Sequence, residues 1–169
     1  MKIAVSACLL GVPCKYNGKS NANDSLCRLL GTHEIIPLCP EVEGGLTTPR
    51  TPSERRGSAV INANGEDVTE AFNQGAAKCA DKASPCDLAV LQPRSPSCGV
   101  RCIYDGTFTS TLVEGQGVFA AELCKRGIPC FEPDDTELEK ALKANNAPVE
   151  SKTATQGIEA DMPASEFIR

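Results

Sequence analysis

The sequence predicts an α/β fold: a Rossmann-like layered arrangement in which a mostly parallel sheet carries helices on both faces. Short apolar runs alternate along the chain with segments whose apolar residues repeat every three or four positions. The chain has 169 residues, which is the size of one ordinary domain. Its 41% apolar residues are enough to form a buried core, so the chain is expected to fold rather than stay disordered.

Four short apolar runs predict the strands of the parallel sheet. Each run is largely apolar, which is typical of strands that are covered on both faces. Pro37, near the end of the second run, favours an edge strand or a strand terminus, because proline cannot donate to the ladder. The runs cover, in chain order, residues 2–7, 34–38, 87–91 and 128–131.

Helices are predicted between these runs from apolar periodicity and from end signals. Asp24 and Ser25 can cap the first helix, and Gly31 can end it. The longest helix begins at Thr69, and its apolar side chains recur every three or four residues, which gives it one face for the core. Gly127 ends the third helix, and acidic residues cap the fourth. The predicted helices cover residues 26–30, 69–82, 116–126 and 134–145.

Loops and hairpins are predicted to connect these elements. Residues 39–57 are rich in Gly, Pro and Arg and are predicted to form a loop. The pair Asn64-Gly65 lies between two apolar stretches, so residues 58–68 are predicted to form a hairpin. A second, short hairpin is predicted to run through Phe108.

The chain is predicted to contain one domain and a tail. Residues 1–145 are expected to form a single α/β domain, since strands and helices alternate to its end. Residues 146–169 have little apolar periodicity and are predicted to form a loose C-terminal tail.

Composition argues against several classes of protein. A formal net charge of −5 argues against a protein built mainly to bind nucleic acid or an acidic membrane. The aromatic residues are few, with five Phe, two Tyr and no Trp, so a stacking platform for single strands is not expected. No apolar run approaches ~18 residues, and the first residues contain no long apolar segment typical of a signal peptide. We therefore expect a soluble cytoplasmic domain without a stable nucleic-acid complex.

Ten cysteines are the most unusual feature of the sequence. The cytosol would keep them reduced, which points to metal binding, catalysis or burial. Cys8, Cys39 and Cys98 each follow a different predicted strand, and each lies among Gly and Pro residues. Because the carboxyl ends of parallel strands meet at one edge of a sheet, we expect these three thiols to converge there.

The spacing of these thiols leaves several interpretations open. A structural zinc ion is usually bound by local Cys-x2-Cys pairs, and the chain has none. Three single, widely separated thiolates fit a 4Fe–4S cluster whose fourth iron has no protein ligand. Catalytic thiol chemistry and burial as small apolar side chains are the alternatives.

Several motifs together resemble a family long catalogued as a domain of unknown function, whose characterised members are thiouracil desulfidases. The resemblance spans roughly residues 1–132. It implies an α/β fold in which Cys8, Cys39 and Cys98 hold a 4Fe–4S cluster, and an open iron that takes sulfur from a thiolated pyrimidine, which water then replaces. An exposed iron is prone to oxidation, so aerobically prepared protein can lack the cluster. The motifs are SACLLGVPCKYNG, LCPEVEGGLTTPR, GEDVTEAF, SPSCG, IYDGTF and GQGVFAAEL.

The same resemblance implies two catalytic residues. Glu41, two residues after Cys39, would activate water, and Ser95, three residues before Cys98, would position water or substrate. The family commonly has a lysine just before SPSCG, whereas this chain has Gln92 there.

The other cysteines are expected to have plainer roles. Cys14 and Cys102 flank proposed ligands. They could be spare ligands or redox partners, or they could lie there by chance. Core packing is predicted for the remaining five, namely Cys27, Cys79, Cys86, Cys124 and Cys130.

Three hypotheses of function remain at this stage. The first is a cluster-dependent desulfidase acting on thiouracil or a thiouridine nucleotide by non-redox hydrolysis. The second is a sulfur-transfer protein that carries a cysteine persulfide. The third is a non-enzymatic iron–sulfur or zinc-binding module.

Overall fold

The computed structural model describes residues 1–144. The predicted tail, residues 146–169, lies outside the described residues, as does position 145 at the end of the last predicted helix. In the part described, no helix is both long and apolar enough to cross a membrane. The elements are β1 (Lys2–Ser6), α1 (Asp24–Leu30), β2 (Glu34–Leu38), α2 (Pro40–Glu43), β3 (Ser53–Arg56), β4 (Ala59–Asn62), α3 (Thr69–Ala83), β5 (Leu88–Val90), β6 (Cys102–Tyr104), β7 (Leu112–Glu114), α4 (Val118–Lys125), β8 (Cys130–Phe131) and α5 (Thr136–Ala144).

The four predicted strands form one parallel sheet, in the order β2-β1-β5-β8. In the register of this sheet, Val5 of β1 pairs with Pro37 of β2 on one side and Val90 of β5 on the other. Pro37 lies on an edge strand, where its missing N–H costs no ladder bond. This sheet confirms the predicted parallel α/β architecture.

Helices cover both faces of the sheet, as predicted, because side chains of a strand alternate between faces. Ala4 of β1 packs with α3 and α4 in one apolar cluster, while Ile3 and Val5 pack with α1 and α5 in the other. Both clusters consist of fully or almost fully buried side chains. The sheet therefore lies between two layers of helices.

One prediction about the loops was incomplete and one was wrong. The chain turns back at Asn64-Gly65 as predicted, with an antiparallel bridge between Ile61 and Asp67 and a hydrogen bond from the N–H of Val68 to the carbonyl oxygen of Val60 at 2.9 Å. The sequence did not predict that β4 also pairs with β3, across a turn at Gly57 whose φ is 59°. The loop predicted over residues 39–57 contains β3 and the one-turn helix α2. The short hairpin predicted through Phe108 is present as β6 and β7.

Two of the five cysteines assigned to core packing are exposed. Cys27 and Cys124 face solvent, whereas Cys79 is fully buried. Each exposed cysteine is one position beyond a buried leucine, Leu26 or Leu123, and one residue is a rotation of about 100° around a helix. Their helices therefore turn them away from the core.

Helix α2 is held in place by a close backbone contact with α3. A Cβ atom on Gly75 would lie 1.8 Å from the carbonyl oxygen of Pro40 and 2.9 Å from the amide nitrogen of Gly44. No side chain fits there without separating the two helices. Because α2 follows Cys39 and carries Glu41, this contact fixes the position of both residues.

Gly75→Ala is expected to destabilise the fold by about 1–3 kcal/mol through this overpacking. An alanine in an ordinary helix interior would instead stabilise by up to about 1 kcal/mol, so the sign of the change is diagnostic. Urea unfolding measures it, with Asn73→Ala on the exposed face of α3 as the control. A stabilised Gly75→Ala variant would contradict the tight α2–α3 contact.

Candidate functional site

A pocket of about 580 Å³ opens at the carboxyl edge of the parallel sheet. Its wall includes all five residues selected from the sequence, namely Cys8, Glu41, Ser95, Cys98 and Cys39. Residue 8 lies in a 3-10 turn (Ala7–Leu10) directly after β1, and residue 39 follows β2 directly. Residues 95 and 98 lie in the loop after β5. Three neighbouring strands therefore deliver these side chains to one place.

The thiols of Cys8 and Cys39 have weak partners only. The Cys8 sulfur lies 3.8 Å from Oε1 of Gln92, and the Cys39 sulfur lies 3.8 Å from the carbonyl oxygen of Cys14. All ten cysteines are free, so none of these sulfurs is committed to a disulfide. Gln92 therefore places a neutral amide against Cys8.

Cys14 is a fourth thiol on the pocket wall. It is 8% exposed and is a neighbour of both Cys39 and Cys8. Donation by the Cys39 thiol to the sulfur of Cys14, with burial, raises the pKa of the Cys39 thiol far above its usual value. The sequence analysis left the role of Cys14 open, because a separation of six residues from Cys8 along the chain does not show that the two side chains lie in one pocket.

The loop that carries Cys98 is held by two serine hydroxyls and by α4. The Ser95 hydroxyl oxygen accepts the N–H of Ser97 at 3.2 Å and that of Cys98 at 3.1 Å. The N–H groups of Val118 and Phe119, in the first turn of α4, donate to carbonyl oxygens of the same loop at 2.9 Å and 2.8 Å. Ser95 thus sets the conformation of the turn before the cysteine.

Hydroxyl groups surround the Cys98 sulfur. The Ser97 hydroxyl lies 3.7 Å from the sulfur, and the Ser6 hydroxyl is its second hydroxyl neighbour. Burial raises the pKa of the Cys98 thiol to about 12, while these two hydroxyl bonds act in the opposite direction. The hydroxyls would stabilise a thiolate once a cation or cluster displaces the proton.

Glu41 forms a buried ion pair with Arg50. Nη2 of Arg50 donates to Oε2 of Glu41 at 2.8 Å and to the carbonyl oxygen of Cys14 at 2.8 Å. The Glu41 side chain is 17% exposed and that of Arg50 is 6% exposed, so water screens the ion pair little. Nε of Arg50 is buried and has no acceptor among the described residues. Sequence reasoning did not select Arg50 as a site residue, although it ends the LTTPR motif.

The donor set fits a thiolate-bound cluster better than a single metal ion. Within residues 1–144, no three His, Cys, Asp or Glu side chains are grouped closely enough to hold one ion. A zinc ion needs its sulfur ligands about 2.3 Å from the metal, which draws them together. A cluster of four irons is larger and holds its thiolates further apart, and three free thiols on one wall suit it.

Comparisons with known proteins show the family of this chain and agree with its fold. The model of the 2-thiouracil desulfurase family matches residues 3–135. The uncharacterized protein YbbK of Bacillus subtilis (strain 168) is 39% identical over 137 residues, which are 74% of this chain and 91% of that protein. A solved structure, of the 4Fe–4S-dependent thiouracil desulfidase TudS, superposes with a TM-score of 0.79 at 40% identity. The match covers 85% of this chain and 98% of that one.

Proposed function

The chain belongs to the 2-thiouracil desulfurase family, and we propose that it is a 4Fe–4S-dependent desulfidase that removes sulfur from a thiolated pyrimidine by non-redox hydrolysis. The observation that carries the proposal is the meeting of the free cysteines Cys8, Cys39 and Cys98 with the half-buried carboxylate of Glu41 on one pocket wall. The 4Fe–4S dependence stated for TudS supports the cofactor. The substrate is a small molecule, either the free base 4-thiouracil or a thiouridine nucleotide.

Cys8, Cys39 and Cys98 would hold the cluster. Each comes from a different strand end, so folding alone brings them together. When bound, the cluster supplies an iron without a protein ligand, a Lewis acid with affinity for the sulfur of the substrate. The hydroxyls of Ser6 and Ser97 stabilise the thiolate of Cys98.

Glu41 would act as the general base. Its Oε2 is held by Arg50, whereas no hydrogen bond within the described residues engages Oε1. The free oxygen can accept a proton from water as the water oxygen attacks the ring carbon that carries sulfur. Overall, a thiocarbonyl and water become a carbonyl and hydrogen sulfide, so the carbon keeps its oxidation state and no electron donor is needed.

Ser95 would keep the cysteine loop in its reactive conformation and present its hydroxyl to the pocket. Its oxygen already accepts two backbone N–H groups and lies 3.0 Å from the Ser97 hydroxyl. The hydrogen-bonding capacity that the two hydroxyls still have can position water or substrate. Ser95 therefore supports catalysis by geometry more than by proton transfer.

Anaerobic purification and assay with 4-thiouracil test this function. We expect brown protein with a broad visible absorbance, and uracil and sulfide in equal amounts without added reductant. In water enriched in oxygen-18, the label should enter the product carbonyl, which tests hydrolysis separately. Full activity in iron-free protein would contradict the cluster-dependent mechanism. Accumulation of a protein persulfide in place of free sulfide would favour a sulfur carrier.

A further inference from the structure

Strained backbone in this chain is concentrated at the pocket. Among the described residues, three that are not glycine have positive φ: Arg94 at 61°, Phe108 at 57° and Ser110 at 59°. All three line the pocket. For a bulky residue such as phenylalanine this conformation is unfavourable, and such residues persist where the surrounding structure holds them for function.

The segment between β6 and β7 is held by a buried carboxylate on β3. Oε1 of Glu54 accepts the N–H of Gly106 at 3.2 Å and the N–H of Phe108 at 3.2 Å. Glu54 is only 8% exposed, and the ion pairs found in residues 1–144 do not include it. Burying a carboxylate is costly unless hydrogen bonds stabilise it, so these two bonds are strong constraints on the loop.

A second contact fixes the same loop from β3. Nη2 of Arg56 donates to the carbonyl oxygen of Gly106 at 2.6 Å. Gly106 has a φ of 93°, and a Cβ atom there would lie 2.9 Å from Cβ of Arg56. The loop is therefore anchored on both sides of Gly106, immediately before Phe108, and its conformation is set before any substrate arrives.

The aromatic side chains of this chain are also distributed unevenly. Phe72 and Phe119 are fully buried in the core, whereas both tyrosines, Tyr16 and Tyr104, line the pocket together with Phe108. Phe108 is 38% exposed there. An aromatic ring left exposed at a pocket, on a strained and doubly anchored backbone, offers a flat surface for a planar ligand.

We propose that Phe108 is the residue on which the pyrimidine ring of the substrate stacks, and that Glu54 is the positioning residue that holds it there. The inference rests on the proposed function, because a planar heterocycle is the ligand that the proposed reaction requires. Stacking covers one face of the ring and leaves its edges and its opposite face free. The sulfur on the ring edge then remains available at the cysteines of the pocket, and water activated by Glu41 can reach the ring carbon from the uncovered face.

Steady-state kinetics of the holoenzyme with 4-thiouracil test the proposal. Phe108→Ala is expected to raise KM by about 5- to 150-fold, the range that loss of one stacking contact gives, with kcat changed much less. Phe108→Trp should restore a KM near that of the wild type, whereas the apolar but non-aromatic Phe108→Leu should not. Leu112→Ala is the matched control, because Leu112 is an equally exposed apolar residue of the same hairpin outside the pocket wall.

The role of Glu54 is tested by a double-mutant cycle. Glu54→Ala should raise KM in the wild-type background but add little to Phe108→Ala, since it acts through that ring. Equal, additive effects in both backgrounds would overturn the positioning role. A KM for Phe108→Ala within twofold of the wild type, or full restoration by leucine, would overturn the stacking role. An inactive wild type with intact visible absorbance would instead overturn the proposed function.

Discussion

Replacing Cys8, Cys39 or Cys98 with Ser is expected to abolish cluster content and desulfidase activity together. A cluster held by three protein thiolates has no spare ligand, and a serine hydroxyl does not replace a soft thiolate on iron. Iron and sulfide analysis of anaerobically purified protein, with the visible spectrum and the 4-thiouracil assay, measures both losses. Each variant should still fold, because a Cys-to-Ser change at the pocket wall leaves the apolar clusters almost intact.

Two other cysteines provide matched controls for this experiment. Cys124→Ser changes an exposed thiol and should leave the cluster, activity and stability unchanged. Cys79→Ser buries a hydroxyl in the core and should lower only the free energy of unfolding. Cluster loss in Cys79→Ser equal to that in Cys39→Ser, at matched stability, would show that the ligand set is wrongly chosen.

Whether Cys14 is a fourth ligand of the cluster needs a separate test. It lies on the same pocket wall as Cys8 and Cys39, so it could be a fourth ligand. With three ligands, Cys14→Ser keeps the cluster and its activity. If that variant also lost the cluster, the iron proposed as open would be held by the protein, and substrate sulfur would have to displace a thiolate.

Local patterns predicted the sheet and its edge, because they depend on short stretches of sequence. Apolar runs such as that around Val5 mark buried strands, and parallel strands must end at a common edge. Three cysteines placed after three strands could therefore be assigned to one pocket without coordinates. The exposure of Cys27 and Cys124 was missed because a turn of about 100° per residue separates neighbours on a helix.

Long-range pairing produced the features that the sequence did not reveal. Arg50 reaches the carbonyl of Cys14 across 36 positions, and Glu54 reaches the N–H of Phe108 across 54. Both residues resemble ordinary charges in a polar loop, and β3 has no apolar run to mark it as a strand. Only the folded hairpin of β3 and β4 shows that one side of this strand faces the pocket.

Glu41→Gln is expected to keep the cluster and lose most of the turnover. Three thiolates hold the iron without Glu41, so iron content and the resting visible spectrum should match the wild type. An amide cannot take a proton from water, and removal of a general base typically costs about 10²–10⁴-fold in rate. Binding of 4-thiouracil should survive, so adding substrate should still perturb the visible spectrum while uracil forms slowly.

The neighbouring carboxylate on the same helix is the control for this change. Glu43 pairs with Lys82 on the outside of α2 and is not part of the pocket wall, so Glu43→Gln alters the charge of the helix by the same amount without touching the site. Near-normal turnover in Glu41→Gln with intact iron would assign the base to another group. Equal losses in both variants would show that the charge of α2, rather than the Glu41 oxygen at the pocket, supports catalysis. The buried pair with Arg50 favours the first expectation, since it fixes one carboxylate oxygen and leaves the other unengaged by the described residues.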